Sequence, residues 1–279
     1  MSSENSIEAH DLCRQLIKRH IKKCKAILEA GTGSGEMLRE LSKTYNARAC
    51  GIDPYKTERD EGLVHFRPYG AEQLEKLPRL YDLIYTVHSL HHFTNPGFFL
   101  KGAGEKLSIN GRLIIVDWRR GAKTGVYEKY YDLEEITEWM GRYNLKIIEK
   151  GITDRNLYIV AALKNRLLAA ATADGENIFP GMFGRSPYFD IYSIQDNKNF
   201  KYLKRTTNIY ARTLQHLKTY DVYNEVSNCH ALLAARIGKK GQERLEDLGI
   251  KIFLKKGNTD RAIHAIVKEL CLKNSGKKI

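Results

Sequence analysis

The stretch Glu29-Ala30-Gly31-Thr32-Gly33-Ser34-Gly35 constrains the fold of this chain more than any other segment of comparable length. Three glycines at alternate positions let the backbone turn sharply and let a ligand approach it without meeting a Cβ. The flanks give the loop its meaning. Ala26-Ile27-Leu28 before it reads as a short apolar strand, and Met37-Leu38-Arg39-Glu40-Leu41 after it has helical spacing. A second strand, Ala47 to Ile52, ends in Asp53-Pro54. Ahead of everything, residues 8 to 23 read as an amphipathic helix with Leu12, Leu16, Ile17 and Ile21 on one face. Strand, glycine turn, helix, strand, acid is the opening unit of a doubly wound α/β fold.

An acid at the tip of the second strand accepts hydrogen bonds from the two hydroxyls of an adenosine ribose. Asp53 stands about 20 residues beyond the loop, where that role requires it. The spacing E-x-G-x-G-x-G differs from the dinucleotide pattern G-x-G-x-x-G, which makes a nicotinamide dehydrogenase the lesser reading. On these residues the segment resembles the class I S-adenosylmethionine-dependent methyltransferases, over roughly residues 10 to 163. The resemblance implies a Rossmann-like, seven-stranded α/β domain with S-adenosylmethionine as cofactor. It implies that the loop, with Gly31, Thr32, Gly33 and Gly35, passes under the methionine moiety and that Glu29 lies near its ammonium. Asp53 and Pro54 would face the ribose. Gly70-Ala71-Glu72 falls where the family contacts the adenine, after a third strand, Leu63 to Arg67. The usual aspartate is missing there, so Glu72 or the Ala71 backbone would serve.

The fourth strand, Tyr81 to Val87, runs into His88-Ser89-Leu90-His91-His92-Phe93. Ligands of open α/β sheets bind beyond the carboxyl ends of strands. The resemblance puts this segment beside the transferable methyl, with His88 among the cofactor contacts. The sulfonium already makes that methyl electrophilic. The remaining task is in-line positioning, exclusion of water and deprotonation of the acceptor. His91 and His88 are the candidate bases; the alternative is that His91 packs on the cofactor and His92 lines a helix. Gly111 to Asp117 reads as the fifth strand, after a helix that Asn110-Gly111 would terminate. Arg119 and Arg120 could hold an anionic acceptor, and Tyr127, Tyr130 and Tyr131 could line a lid. A helix opening at Tyr131 and an antiparallel pair, Lys146 to Glu149 with Leu157 to Leu163, close the domain.

The pattern restarts at Lys164, giving domains 1-163 and 164-279. Leu167 to Thr172, Tyr188 to Ile194, Ala231 to Arg236 and Ile250 to Leu254 read as strands, with helices over Gln242 to Leu248 and Thr259 to Leu270. Ala171-Thr172-Ala173-Asp174-Gly175, Phe183-Gly184-Arg185-Ser186-Pro187-Tyr188-Phe189-Asp190 and Arg236-Ile237-Gly238-Lys239-Lys240-Gly241 resemble the dinitrogenase iron–molybdenum cofactor biosynthesis family. That resemblance implies a small RNase-H-like α/β domain, about residues 165 to 271, that carries metal-cluster precursors. Its cluster-binding members read His-Phe-Gly where this chain has Met182-Phe183-Gly184. A thioether does not replace an imidazole at an iron site. The expectation is therefore no metal, with Cys229 and His230 the remaining candidates and substrate recognition or dimerisation the domain's role.

Composition excludes less. The cysteines at 13, 24, 50, 229 and 271 form no C-x-x-C pair and are odd in number, which argues against a disulfide framework and a structural zinc site. The N-terminus lacks the features of a signal peptide and no apolar run spans a membrane, so a cytoplasmic protein is expected. Net charge is +13, but the lysines are scattered in pairs rather than gathered into an aromatic-interleaved basic strip. The segment after the fourth strand also lacks the Asn/Asp-Pro-Pro-Tyr/Phe motif of nucleic-acid base methylation. Expected partners are a small-molecule, metallocofactor-precursor or protein acceptor, with nucleic acid disfavoured, no membrane, and a homodimer left open. Two alternatives stand beside the methyltransferase: a non-catalytic carrier or regulator that binds S-adenosylmethionine, and an RNA methyltransferase driven by the basic charge.

Overall fold

The computed structural model describes residues 3–126, 128–195, 199–212 and 219–274. The chain divides into two compact units, Met1–Leu163 and Lys164–Ile279.

In the first unit, β1 (Ala26–Ala30), β2 (Arg48–Ile52), β3 (Arg59–Glu61), β4 (Val64–Arg67), β5 (Tyr81–Val87), β6 (Leu107–Trp118), β7 (Leu145–Ile152) and β8 (Asn156–Leu163) form one sheet in the order β3-β4-β2-β1-β5-β6-β8-β7. The run from β4 to β6 is parallel, while β8 pairs antiparallel with both β6 and β7. Consecutive residues of a strand face opposite sides, so a sheet covered on both faces needs unbroken apolar runs. The central strands supply them. Leu28, Ile84, Leu113 and Ile115 enter a core with Phe99 of α3 (Pro96–Lys106) and Ile136 of α4 (Leu133–Arg142). Ile27, Tyr85, Ile114 and Val116 enter a second core with Leu16 and Ile17 of α1 (Ser3–His20) and Leu38 of α2 (Glu36–Tyr45).

Two expectations need correction here. The sheet has eight strands rather than seven, because Arg59–Glu61 adds an antiparallel edge to β4. All three of its residues are exposed, so no apolar alternation announces it. Asn110-Gly111 does not end a helix either. Helix α3 stops at Lys106 and β6 begins at the next residue. A Cβ on Gly111 would lie 2.7 Å from the Tyr81 carbonyl oxygen, beside the register shift between β5 and β6. The glycine permits that close strand approach.

The second unit has a five-stranded sheet in the order β11-β10-β9-β12-β13, from β9 (Asn165–Thr172), β10 (Tyr188–Gln195), β11 (Phe200–Thr207), β12 (Ala231–Ala234) and β13 (Lys251–Leu254). β10 runs antiparallel to both of its neighbours, and β12 is parallel to β9 and β13. Helices α5 (Thr219–Asn224), α6 (Lys239–Asp247) and α7 (Thr259–Asn274) complete it. Helix α6 starts at Lys239, ahead of the expected Gln242, and Gly249 after it is left-handed (φ 84°).

Candidate active site

The glycine loop leaves β1 and enters α2 through three left-handed residues, Gly31 (φ 74°), Gly33 (φ 49°) and Gly35 (φ 73°). At Gly31 the requirement is double: a Cβ there would also stand 2.4 Å from Ser89. The Ser89 hydroxyl donates to the Gly31 carbonyl at 3.3 Å, which brings the segment after β5 against the loop. Gly31 and Thr32 donate their amides to Ile52 O, pinning the loop to the end of β2. From there Asp53 accepts the Gly33 amide at 3.3 Å and the Tyr55 amide at 3.0 Å, and its side chain remains partly exposed.

Glu29 sits under the loop, 4% exposed, and accepts the Thr32 hydroxyl at 2.6 Å. Burial pushes its carboxyl up to about 7, against the pull of the Thr32 and Tyr85 hydroxyls beside it. It lines a cavity of about 380 Å³ with Thr32, Ser34, Glu36 and Met37, roofed by His10 and Arg14 of α1. A volume of this size suits a small-molecule cofactor. Pro54 is exposed beside Asp53. Ala71 is buried at the start of a 3-10 turn, Ala71–Lys76. The Glu72 carboxylate accepts the Asn95 amide at 2.9 Å and so ties this turn to the entry of α3.

The three histidines after β5 differ from one another. His88 is left-handed (φ 47°) and buried, stacked on Trp118 at 3.9 Å between ring centroids. Its Nε2 lies 2.7 Å from Asn156 Oδ1 at the start of β8. With Asn156 presenting its amide oxygen, which only accepts, Nε2 carries the proton and Nδ1 keeps a lone pair. That Nδ1 has no hydrogen-bond partner among the described residues. Burial lowers the pKa of His88 despite the Asn156 bond and the Asp117 charge, which keeps the ring neutral at neutral pH.

His91 has no free nitrogen. Nδ1 lies 2.6 Å from Asp117 Oδ1 and Nε2 lies 3.3 Å from Glu128 Oε2. Burial depresses its pKa, but the bond and charge of Asp117, with Glu128, outweigh burial and raise it. His92 is exposed and tilted over His91 at 4.0 Å. Of the expected lid, Tyr130 bonds Glu128 and Thr124, Tyr131 packs on Trp139, and Tyr127 lies outside the described residues. Arg119 donates to Asp154 O, and Arg120 pairs with Asp132 and Glu135.

Asn156 escaped the sequence reading because it reaches His88 across 68 residues. Glu128 escaped because its loop has no periodicity; its one local signal is the run of neighbouring aromatics.

In the second unit, His230 is 4% exposed and its Nδ1 accepts the Leu167 amide at 2.9 Å. Burial, with the Arg166 charge, lowers its pKa to about 4. Cys229 is 3% exposed, and burial pushes its thiol up to about 12. The side chain of Cys271 lies outside the described residues.

A covered parallel sheet, a left-handed glycine loop at the end of β1 and an acid at the end of β2 define a nucleoside-binding α/β enzyme domain. Residues 7–150, more than half of the chain, match the methyltransferase domain family, and the chain belongs to it. Its first unit is an S-adenosylmethionine-dependent methyltransferase domain. Residues 164–270 match the dinitrogenase iron-molybdenum cofactor family. The chain is 26% identical over 125 residues to a ubiquinone biosynthesis O-methyltransferase of Azorhizobium caulinodans, covering 42% of this chain and 49% of that protein. It is 26% identical over 145 residues to one from Photobacterium profundum, covering 48% of this chain and 57% of that protein. It thus spans about half the length of these curated relatives. Among solved structures, the Burkholderia thailandensis 1,6-didemethyltoxoflavin-N1-methyltransferase is similar with a TM-score of 0.47 and 17% identity, over 56% of this chain and 78% of that one. No described helix is long and apolar enough to cross a membrane.

Proposed function

We propose that the protein transfers a methyl group from S-adenosylmethionine to the oxygen of a small molecule. In this reading Glu29 receives the methionine ammonium through the cavity under α1. The loop from Gly31 through Thr32 and Gly33 to Gly35 underlies the methionine, and Asp53, flanked by Pro54, takes the ribose hydroxyls. Ala71 closes the adenine end, with Glu72 holding the turn in place through Asn95 rather than facing the base. His88 flanks the cofactor and acts as the general base, while His91 is kept from that role by its two carboxylates.

The observation that carries the reading is the His88–Asn156 pair. It is a buried, neutral imidazole whose second nitrogen is oriented by an amide and whose first is unpartnered among the described residues. It stands at the end of β5 beside the glycine loop. A hydroxyl acceptor needs such a base, because oxygen attacks the methyl carbon efficiently only as its proton leaves. The names of the curated relatives, O-methyltransferases of ubiquinone biosynthesis, support a small acceptor with a hydroxyl. In this reading the second unit recognises the acceptor, and a metallocofactor precursor is one acceptor in keeping with the family that unit matches.

The test is transfer of labelled methyl from S-adenosylmethionine into size-fractionated cell extract. Label in the small-molecule fraction is expected. Label confined to RNA or protein, or binding of S-adenosylmethionine with no transfer into any fraction, contradicts the reading.

A further inference from the structure

The loop after β6 brings a carboxylate to the two histidines that methyl transfer, as read above, leaves unused. Asp117, at the end of β6, is 3% exposed and accepts three N–H groups: His91 Nδ1 at 2.6 Å, the His91 amide at 3.1 Å and the Trp118 amide at 2.7 Å. A carboxylate has acceptors only, so this bond fixes a proton on Nδ1 and turns Nε2 away from Asp117. What Nε2 meets is another acceptor, Glu128 Oε2 at 3.3 Å. Glu128 is oriented by the Tyr130 hydroxyl at 3.0 Å. The Nδ1 of His92 stands 3.9 Å from Glu128 Oε1. The three donor atoms lie within 4.8 Å of one another. Two ligands each ~2.1 Å from a tetrahedral ion stand ~3.4 Å apart, so these atoms are already near the spacing of a coordination shell. A second proton on the ring, or a metal ion between Nε2 and the carboxylate, satisfies this contact.

We propose that His91 Nε2, His92 Nδ1 and Glu128 bind one divalent transition-metal ion. Asp117 is the outer partner that sets the tautomer of His91, the arrangement by which carboxylates orient metal-binding imidazoles. Two imidazoles and one carboxylate suit zinc, cobalt, iron(II) or manganese rather than calcium or magnesium, which prefer all-oxygen sites. Three protein ligands leave a coordination position open. Resting on the methyltransferase reading, that position takes the acceptor hydroxyl. An ion held here would acidify the acceptor hydroxyl, whose proton goes to a base as its oxygen lone pair forms the O–CH3 bond and the S–CH3 bond breaks, releasing S-adenosylhomocysteine. The acceptor class is accordingly a phenol or enol able to ligate the ion.

The experiment uses the full chain, stripped with a chelator and titrated with Co²⁺, whose visible absorption reports the donors and their number; Zn²⁺ competition gives the affinity. One saturable site per chain is expected, with a nitrogen and oxygen donor spectrum. H92A and E128Q each weaken Co²⁺ binding at least tenfold, and D117N weakens it about 10–100-fold, as loss of an outer partner does. His92 is exposed, so H92A leaves the fold intact, and unchanged S-adenosylmethionine affinity in that variant checks this. Absence of Co²⁺ binding, or binding that H92A and E128Q leave unaltered, overturns the site. Co²⁺ binding sensitive to both variants in a protein that fails to bind S-adenosylmethionine upholds the ion site and strikes the methyltransferase reading alone.

Discussion

The two units differ in how their candidate site residues are held. In the second, the candidate ligands Cys229 and His230 are buried, with His230 Nδ1 accepting the Leu167 amide, and the buried Asp190 accepts from Arg205 Nε and Nη2 and from the Thr172 hydroxyl. Such pairings hold these groups within the core. In the first unit, burial raises the Glu29 carboxyl to about 7, His88 keeps a lone pair, and Asp53 is partly exposed. Satisfied polar groups mark structure, whereas groups held in place but left incomplete mark a site.

The largest effect that sharpens this contrast concerns His88. His88→Asn should lower the single-turnover rate of methyl transfer by about 10²–10⁴, the range for loss of a general base, with little change in S-adenosylmethionine affinity. Because burial lowers the pKa of His88, the wild-type rate should hold through neutral pH and fall only below the ordinary histidine range. An equal loss of affinity and rate would make His88 structural and weaken the distinction between the units.

Next comes Gly31→Ala. A left-handed alanine costs about 1–2 kcal/mol and the Ser89 clash about 1–3 more, so thermal unfolding of the first unit should shift by about 3 kcal/mol. The transition of the second unit should stay in place.

The second unit should show its own pH signature. His230 stays neutral down to about 4 when folded, while an unfolded histidine takes up a proton near 6.5. Between these values the unfolded state binds more protons, so stability falls as pH falls, by roughly 3 kcal/mol in total. Denaturant unfolding at pH 7 and pH 4 checks this, and His230→Gln should flatten the dependence.

The smallest effect is on Glu29. Only its ionised form pairs with an ammonium, and its pKa is about 7. S-adenosylmethionine should therefore bind more tightly as pH rises towards 7, by up to about tenfold per unit below it, and level off above. A flat profile from pH 5.5 to 8 would show that Glu29 does not meet the ammonium.

The glycine loop and Asp53 were legible in the sequence because their chemistry is local: φ sign, strand periodicity and a fixed distance to the acid all lie within 25 residues. The central strands were legible because a doubly covered sheet demands apolar runs. Strand β11 was not, since its exposed Lys201, Lys204 and Arg205 give an edge without alternation. The His88–Asn156 pair, the Asp117–His91 bond and the approach of Glu128 depend on β6, β8 and their loops meeting in space. No spacing in the chain encodes those encounters.

The central claim is that the first unit binds S-adenosylmethionine through the loop beneath Gly31 and the carboxylate of Asp53. Calorimetric titration of the full chain and of Asp53→Ala tests it directly. The account predicts one saturable site in the natural chain. In the variant it predicts a loss of at least about a hundredfold, since two hydrogen bonds from ribose to a carboxylate are worth about 1.5–3 kcal/mol each. Undiminished affinity in Asp53→Ala, or no binding by the natural chain, would contradict it.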